Sequence, residues 1–294
     1  MNLGALGEER LLKHIASGLP RDRRVFAGAG DDCAVLQAPG DGQFLLLKTD
    51  CVVEGVHFSA HTDAAQVGWK AMARSLSDFA AMSGLPEFAL ITLIVPAGRR
   101  AAWVAGLYRG LARAARKFSV AIVGGETSGT AGPAVVSVSV SGRVETERWV
   151  SRSGGKPDDD LFVTGRLGGS LRRRHLRFTP RILESRWLTE RFAIHAMIDL
   201  SDGLGADLPR LARASGAGFE VDERSLPRAR GCTVADAISD GEDYELLFAV
   251  APDSSPALER VWRQKWRIQL TRIGRLTTRG KAKQKLPSGY VHFR

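Results

Sequence analysis

Hydrophobic positions along this chain recur at two spacings, and each spacing names an element. In residues 3–19 the apolar Leu11, Leu12 and Ile15 share a helical face, and Gly18 supplies the stop. Residues 44–47 and 52–58 read as strands on either side of Thr49-Asp50. Thr62-Asp63 then caps a helix over the run VGWKAMARSLSDFAAM, which ends at Ser83-Gly84-Leu85-Pro86. On that helix Ala71, Arg74 and Asp78 share one face, offset from Phe79 and Met82. Residues 88–95 predict a buried strand. Residues 101–118 predict a helix, with Trp103, Leu107, Leu111 and Phe118 on one stripe. Residues 120–123 form a short strand running into Gly124-Gly125-Glu126-Thr127, and residues 134–140 alternate as a half-buried strand does.

Residues 143–160 break the pattern, because charges, Ser153-Gly154-Gly155 and Pro157 cluster there. Beyond the break the logic repeats. Residues 161–164 are a strand ending at Gly165. Residues 196–199 are another, running into Leu200-Ser201-Asp202-Gly203 and a helix over 204–214. Residues 245–250 are a third strand, introduced by Gly241-Glu242-Asp243-Tyr244. The expected fold class is α+β, with two α/β domains covering 1–147 and 148–294.

Composition narrows the partners. Of the 294 residues, 44% are hydrophobic and 25% charged, as in globular proteins generally. The longest apolar run is far short of the ~20 residues a membrane helix needs. Glu8, Glu9 and Arg10 stand where a signal peptide would need an apolar core. Three cysteines in no C-x-x-C pair suit a reducing cytoplasm. The net charge of +10 lies almost wholly in residues 148–294. That asymmetry fits a nucleic-acid partner or a half that receives phosphates, and no DNA- or RNA-binding motif accompanies it.

The candidate chemistry is acidic. Asp31, Asp32, Asp50, Asp78 and Glu126 in the first half, with Asp199, Asp202, Glu242 and Asp243 in the second, mostly follow apolar strands or flank glycines. Carboxylates without neighbouring His or Cys suit Mg²⁺ rather than zinc, and Mg²⁺ commonly bridges polyphosphate. The bland alternative is a set of turn and cap residues. Gly124-Gly125 lets backbone N–H groups approach a phosphate. However, neither the glycine-lysine loop of P-loop NTPases nor the dinucleotide fingerprint occurs. Arg152 could fork a phosphate, Ser201 could cap a helix or hold one, and His57 is a lone ring on an expected strand.

Taken in order, GAGDDCAVL, KTDCVVEGVHF, VGWKAMARSLSDFAAMSGLP, VGGETSGT, RSGGKPDDDLFVTGRLGGS, FTPR, MIDLSDGLGADL and GEDYELLF resemble the thiamine-monophosphate kinases. These belong to the aminoimidazole-ribonucleotide-synthetase-like superfamily, and the closing Gly289-Tyr290-Val291-His292-Phe293 looks like the family's C-terminal signature. The resemblance implies ATP-dependent conversion of thiamine monophosphate to thiamine diphosphate. It also implies a homodimer whose N-terminal domains share a β-barrel. Metal positions would be Asp32, Thr49, Asp50, Asp78, Glu126, Asp199 and Asp202, holding several Mg²⁺. ATP would meet Tyr108, Gly125, Arg152 and Ser201, and the thiamine phosphate His57, Glu242 and Tyr290. No covalent catalytic residue is expected. The chain departs from the family at Glu126, where Asp is usual, and at Lys48, where a small residue is usual. It departs again at the shortened stretch 170–175 and at Ser239-Asp240-Gly241. Two alternatives stand beside this reading: another ATP-dependent enzyme of the superfamily, and a basic nucleic-acid-binding protein that has lost catalysis.

Overall fold

The computed structural model describes residues 2–20, 22–40, 42–280 and 286–290; the expected signature residues Val291, His292 and Phe293 lie outside them. The amphipathic start is two helices rather than one, α1 (Leu3–Leu6) and α2 (Glu8–Gly18), because Gly7 takes φ +75° between them. Strands β1 (Val25–Ala27), β2 (Ala34–Gln37) and β3 (Gln43–Val53) follow. The expected break in β3 at Thr49-Asp50 is absent. Register pairing with a later strand carries all eleven residues from Gln43 to Val53, and such pairing outweighs a local turn preference. The strand stops at Val53, so His57 sits on the turn that follows and not on a strand.

Helix α3 (Ala64–Ala81) starts where Asp63 Oδ1 accepts from the Gln66 N–H at 3.0 Å. Next come β4 (Leu85–Pro96), α4 (Ala101–Lys117), β5 (Ala121–Thr130) and β6 (Val135–Glu145). Their sheet runs β1-β2-β3-β6-β4-β5, and only the β4–β5 pair is parallel. One face is covered by α3 and α4, whose backbones touch at glycines. A Cβ on Gly110 would stand 2.0 Å from Ala65 O. The other face presents Leu47, Phe88, Leu90 and Val123, all exposed.

The second half contains β7 (Asp160–Thr164), the short helices α5 (Ser170–Arg173) and 174–176, α6 (Ile182–Arg191), β8 (Ile194–Asp199) and α7 (Leu204–Ala214). It continues with β9 (Ala217–Val221), α8 (Val234–Ser239), β10 (Leu246–Val250), α9 (Ser255–Lys265) and β11 (Leu270–Thr278). The antiparallel sheet β8-β10-β7-β11-β9 is buried on both faces at its centre, which explains the uninterrupted apolar runs of β7 and β10. Phe162, Met197 and Phe248 join the core that includes α3, whereas Leu161, Val163 and Leu247 pack with α7 and α8. Among the described residues no helix is long and apolar enough to cross a membrane.

Polar ties fasten α3 and the first sheet to the second half. Trp69 Nε1 donates to Phe178 O at 2.8 Å. Arg186 forks Glu145 at 2.6 and 2.7 Å, and this hydrogen-bonded pair holds the Glu145 carboxyl down at about 2. A depressed carboxylate adds stability above its unfolded value near 4.5 and loses it as pH falls towards 2. Because both groups meet solvent, the pair is worth about 1 kcal/mol. Glu145→Gln is therefore expected to lower the urea midpoint at pH 7 and to leave it unchanged near pH 2. An equal gap at both pH values would contradict this.

Candidate active site

Alternation along β3 decides which side chains reach the acidic centre. Lys48 and Asp50 point towards α3, while Thr49 points to the opposite face and hydrogen-bonds Ser139 at 3.0 Å. On α3, Arg74 and Asp78 face β3 together, as their helical spacing anticipates. Asp32 enters from the turn before β2, and Asp199 from the end of β8. Asp32, Asp78 and Asp199 are buried, with one oxygen from each within 4.8 Å of the others.

Cations already border this cluster. Lys48 Nζ lies 2.9 Å from Asp78 and 3.9 Å from Asp50. Arg152 binds Asp32 at 2.6 and 3.2 Å. Burial nonetheless dominates, and with the Asp32 charge it pushes Asp199 up to about 7. Burial also raises Asp78 well above the ordinary carboxylate range, with Asp50, Asp199 and Asp32 adding to the rise and Lys48 opposing it. A shared divalent cation would relieve both. Oxygens around one Mg²⁺ at about 2.1 Å are roughly 3–4 Å apart, so the three carboxylates fit such an ion. When bound, Mg²⁺ would screen phosphate charge from phosphate charge.

Beside the cluster lies a cavity of about 120 Å³, lined by His57, Arg74, Ser201, Asp202, Glu242, Tyr244 and Tyr290 among others. The Tyr244 ring stacks on Phe178 at 3.8 Å. Glu242 and Tyr244 have φ of +62° and +51°, a left-handed backbone uncommon outside glycine. The bend is pinned: Ser170 Oγ donates to Glu242 O at 2.6 Å, and the Glu242 N–H donates to Ser201 O at 2.7 Å. Lys70 Nζ, wholly buried, pairs with the Glu242 carboxylate and donates to His57 O at 2.8 Å. His175 Nδ1 is 2.9 Å from Glu242. Burial would raise Glu242, but the His175 hydrogen bond and the Lys70 charge outweigh it and hold the carboxyl at about 2. Burial lowers Lys70 to about 8, with Glu242 opposing. His57 Nδ1 accepts from the Val53 N–H at 3.1 Å, which leaves the ring proton on Nε2.

The remaining candidates stand apart. Asp202 borders the cavity, but its carboxylate is held by Arg210 at 2.5 Å. Gly125 and Glu126 lie on β5, the sheet's edge strand, and Tyr108 is exposed on α4. The register places Asp50 opposite Val138, Val138 opposite Ile91, and Ile91 opposite Gly125. Three strand spacings separate them, roughly 14 Å. Gly125 also has a packing reason, since a Cβ there would stand 1.8 Å from Ile91 O. Lys70 and His175 were not singled out from the sequence. Lys70 had a signal, lying four and eight residues before Arg74 and Asp78 on the same helical face. His175 had none, because only the fold brings it to Glu242.

The profile for the AIR synthase related protein N-terminal domain matches residues 30–144, and the C-terminal domain profile matches residues 130–286. The chain is 36% identical to the thiamine-monophosphate kinase of Rhodopirellula baltica, over 97% of each chain. It is 31% identical to that of Bacillus subtilis, over 92% of this chain and 94% of the other. A solved structure of AaThiL complexed with AMPPCP and TMP superposes with a TM-score of 0.85 at 32% identity, covering 99% of both chains. With the acidic cluster and its adjoining cavity in place, these similarities establish that the chain belongs to the thiamine-monophosphate kinase family.

Proposed function

We propose that this chain transfers the γ-phosphoryl group of ATP directly to the phosphate of thiamine monophosphate. The bond from the γ-phosphorus to the β–γ bridging oxygen breaks, a bond from an acceptor phosphate oxygen forms, and ADP and thiamine diphosphate leave. The observation that carries the reading is a buried three-carboxylate cluster linked, through Lys48, Asp50 and Arg74, to the cavity lined by His57, Ser201, Glu242 and Tyr290. Asp32, Asp78 and Asp199 would hold Mg²⁺, with Asp50 beside them. The acceptor is already ionised, so positioning and charge screening suffice and no side chain needs to form a covalent bond. Asp202, held by Arg210, would join only if that pair opened.

The placement of Tyr108, Gly125 and Glu126 supports a homodimer. They lie well away from Asp50 of the same chain: Gly125 and Glu126 are on an edge strand whose outer side is unpaired among the described residues, and Tyr108 is exposed on α4. Long open edges and exposed apolar faces invite a partner. A second copy covering Leu47, Phe88, Leu90 and Val123 would close the sheets into a barrel and bring these residues to an ATP site shared between subunits. The working unit would thus be a cytoplasmic dimer, each chain divided near residue 147 and taking part of its ATP site from the other. Glu126 remains an oxygen donor with a longer arm than aspartate.

The test is an assay of purified protein with Mg²⁺, ATP and thiamine monophosphate, reading thiamine diphosphate directly, with sedimentation on the same sample. Product from a dimer is expected. ATP binding without product would favour a different acceptor within the superfamily. A monomer that turns over would remove the shared ATP site, and a radiolabelled phosphoprotein trapped during turnover would remove direct transfer.

A further inference from the structure

We infer that Arg74 is the residue that recognises the acceptor's phosphate, and hence sets the preference for a phosphorylated acceptor over its free alcohol. The inference rests on the kinase reading above. Arg74 projects from α3 into the cavity and is 14% exposed. Its nearest carboxylates, Asp50 and Glu242, are each 3.7 Å away, outside hydrogen-bonding range, and its Nε is buried without a partner. Neighbouring guanidinium groups are closely engaged. Arg152 holds Asp32 at 2.6 Å, Arg174 holds Asp243 at 2.5 Å, and Arg210 holds Asp202 at 2.5 Å.

A mostly enclosed guanidinium whose Nε is buried without a partner is costly unless an anion completes its hydrogen bonds. Neither nearby carboxylate serves that purpose. Glu242 is already bound by Lys70 and His175, and Asp50 also faces Lys48. The planar fork of arginine matches a phosphate bidentately. The cavity, of about 120 Å³, has room for a compact anion such as a phosphate. The rest of the ligand would then lie towards Tyr290 at the mouth, 45% exposed. Arg74 also touches the Asp50 side of the acidic cluster, so a phosphate held there would sit next to the metal ligands.

Calorimetric titration of the parent, Arg74→Ala and Arg74→Lys with thiamine monophosphate and with thiamine tests this. Charge-assisted hydrogen bonds of this kind correspond to roughly a 10- to 100-fold affinity change. Arg74→Ala should lose that factor for thiamine monophosphate, keep the parent's affinity for thiamine, and keep its KM for ATP. Arg74→Lys should recover part of the loss. Equal losses for both ligands would mean a structural role and overturn the inference, as would unchanged monophosphate affinity. If Arg74→Ala fails to fold, Arg74→Lys decides alone: a lower monophosphate-to-thiamine affinity ratio than the parent's upholds the inference, and an unchanged ratio overturns it. A parent that binds thiamine but not its monophosphate would instead bring down the kinase reading itself.

Discussion

Replacing Asp78 by Asn is expected to lower thiamine diphosphate formation by about 10²- to 10³-fold, the order seen when a group that stabilises transition-state charge is removed. The substitution keeps the shape of the side chain but removes one charge from the three-carboxylate cluster and frees Lys48, whose ammonium lies 2.9 Å away. Two effects oppose each other in the fold: the amide removes a carboxylate that burial disfavours, and it costs Lys48 its 2.9 Å partner, leaving Asp50 at 3.9 Å. The expected result is therefore a variant that still melts cooperatively, binds Mn²⁺ more weakly and turns over slowly. Initial rates across a Mg²⁺ series, with thermal melting alongside, check it. A rate within fivefold of the parent would show that Asp78 carries no part of the charge screening.

Replacing Lys70 by Met is expected to cost about 3–5 kcal/mol of unfolding free energy, because removing one partner of a buried pair leaves the other uncompensated. Lys70 is 0% exposed and holds two groups at once, Glu242 and the carbonyl of His57 at 2.8 Å. These groups come from both halves of the chain, so the ammonium clamps the two halves together beside the cavity. The double variant Lys70→Met/Glu242→Gln should regain most of the loss, since it removes the stranded carboxylate as well. Urea unfolding of the parent, both single variants and the double variant closes the cycle. Additive losses, with no coupling between the two sites, would count against the clamp.

Much of the first half was legible in the chain. The helix after Asp63, its cap and its stop followed from local chemistry, and the spacing of Arg74 and Asp78 placed both on the face that meets β3. Where apolar periodicity was weak, the reading missed elements. Helices α6 and α9 carry ILESRWLTER and SPALERVWRQK, whose charged residues mask the few positions, such as Trp187 and Trp262, that reach the core. Strands β9 and β11 alternate too irregularly to stand out, and they exist because they pair with each other and because β11 also pairs with β7. In β3 the polar Thr49-Asp50 reads as a gap between two strands, yet ladder pairing with β6 continues through it.

By itself the sequence determined the family, through an ordered set of motifs, and the local setting of each carboxylate at a strand end or on a helix face. Those features depend on residues close together in the chain, where spacing converts directly into geometry. Tertiary structure alone decided which cation meets which carboxylate. Lys48 with Asp78, Arg152 with Asp32, and Lys70 with Glu242 are 30, 120 and 172 residues apart. Strand parity then turned Thr49 away from Asp50, and sheet order set Glu126 three strands from it. Charges act through space and fall steeply with distance and dielectric, so their pairing follows the fold and not the order of residues.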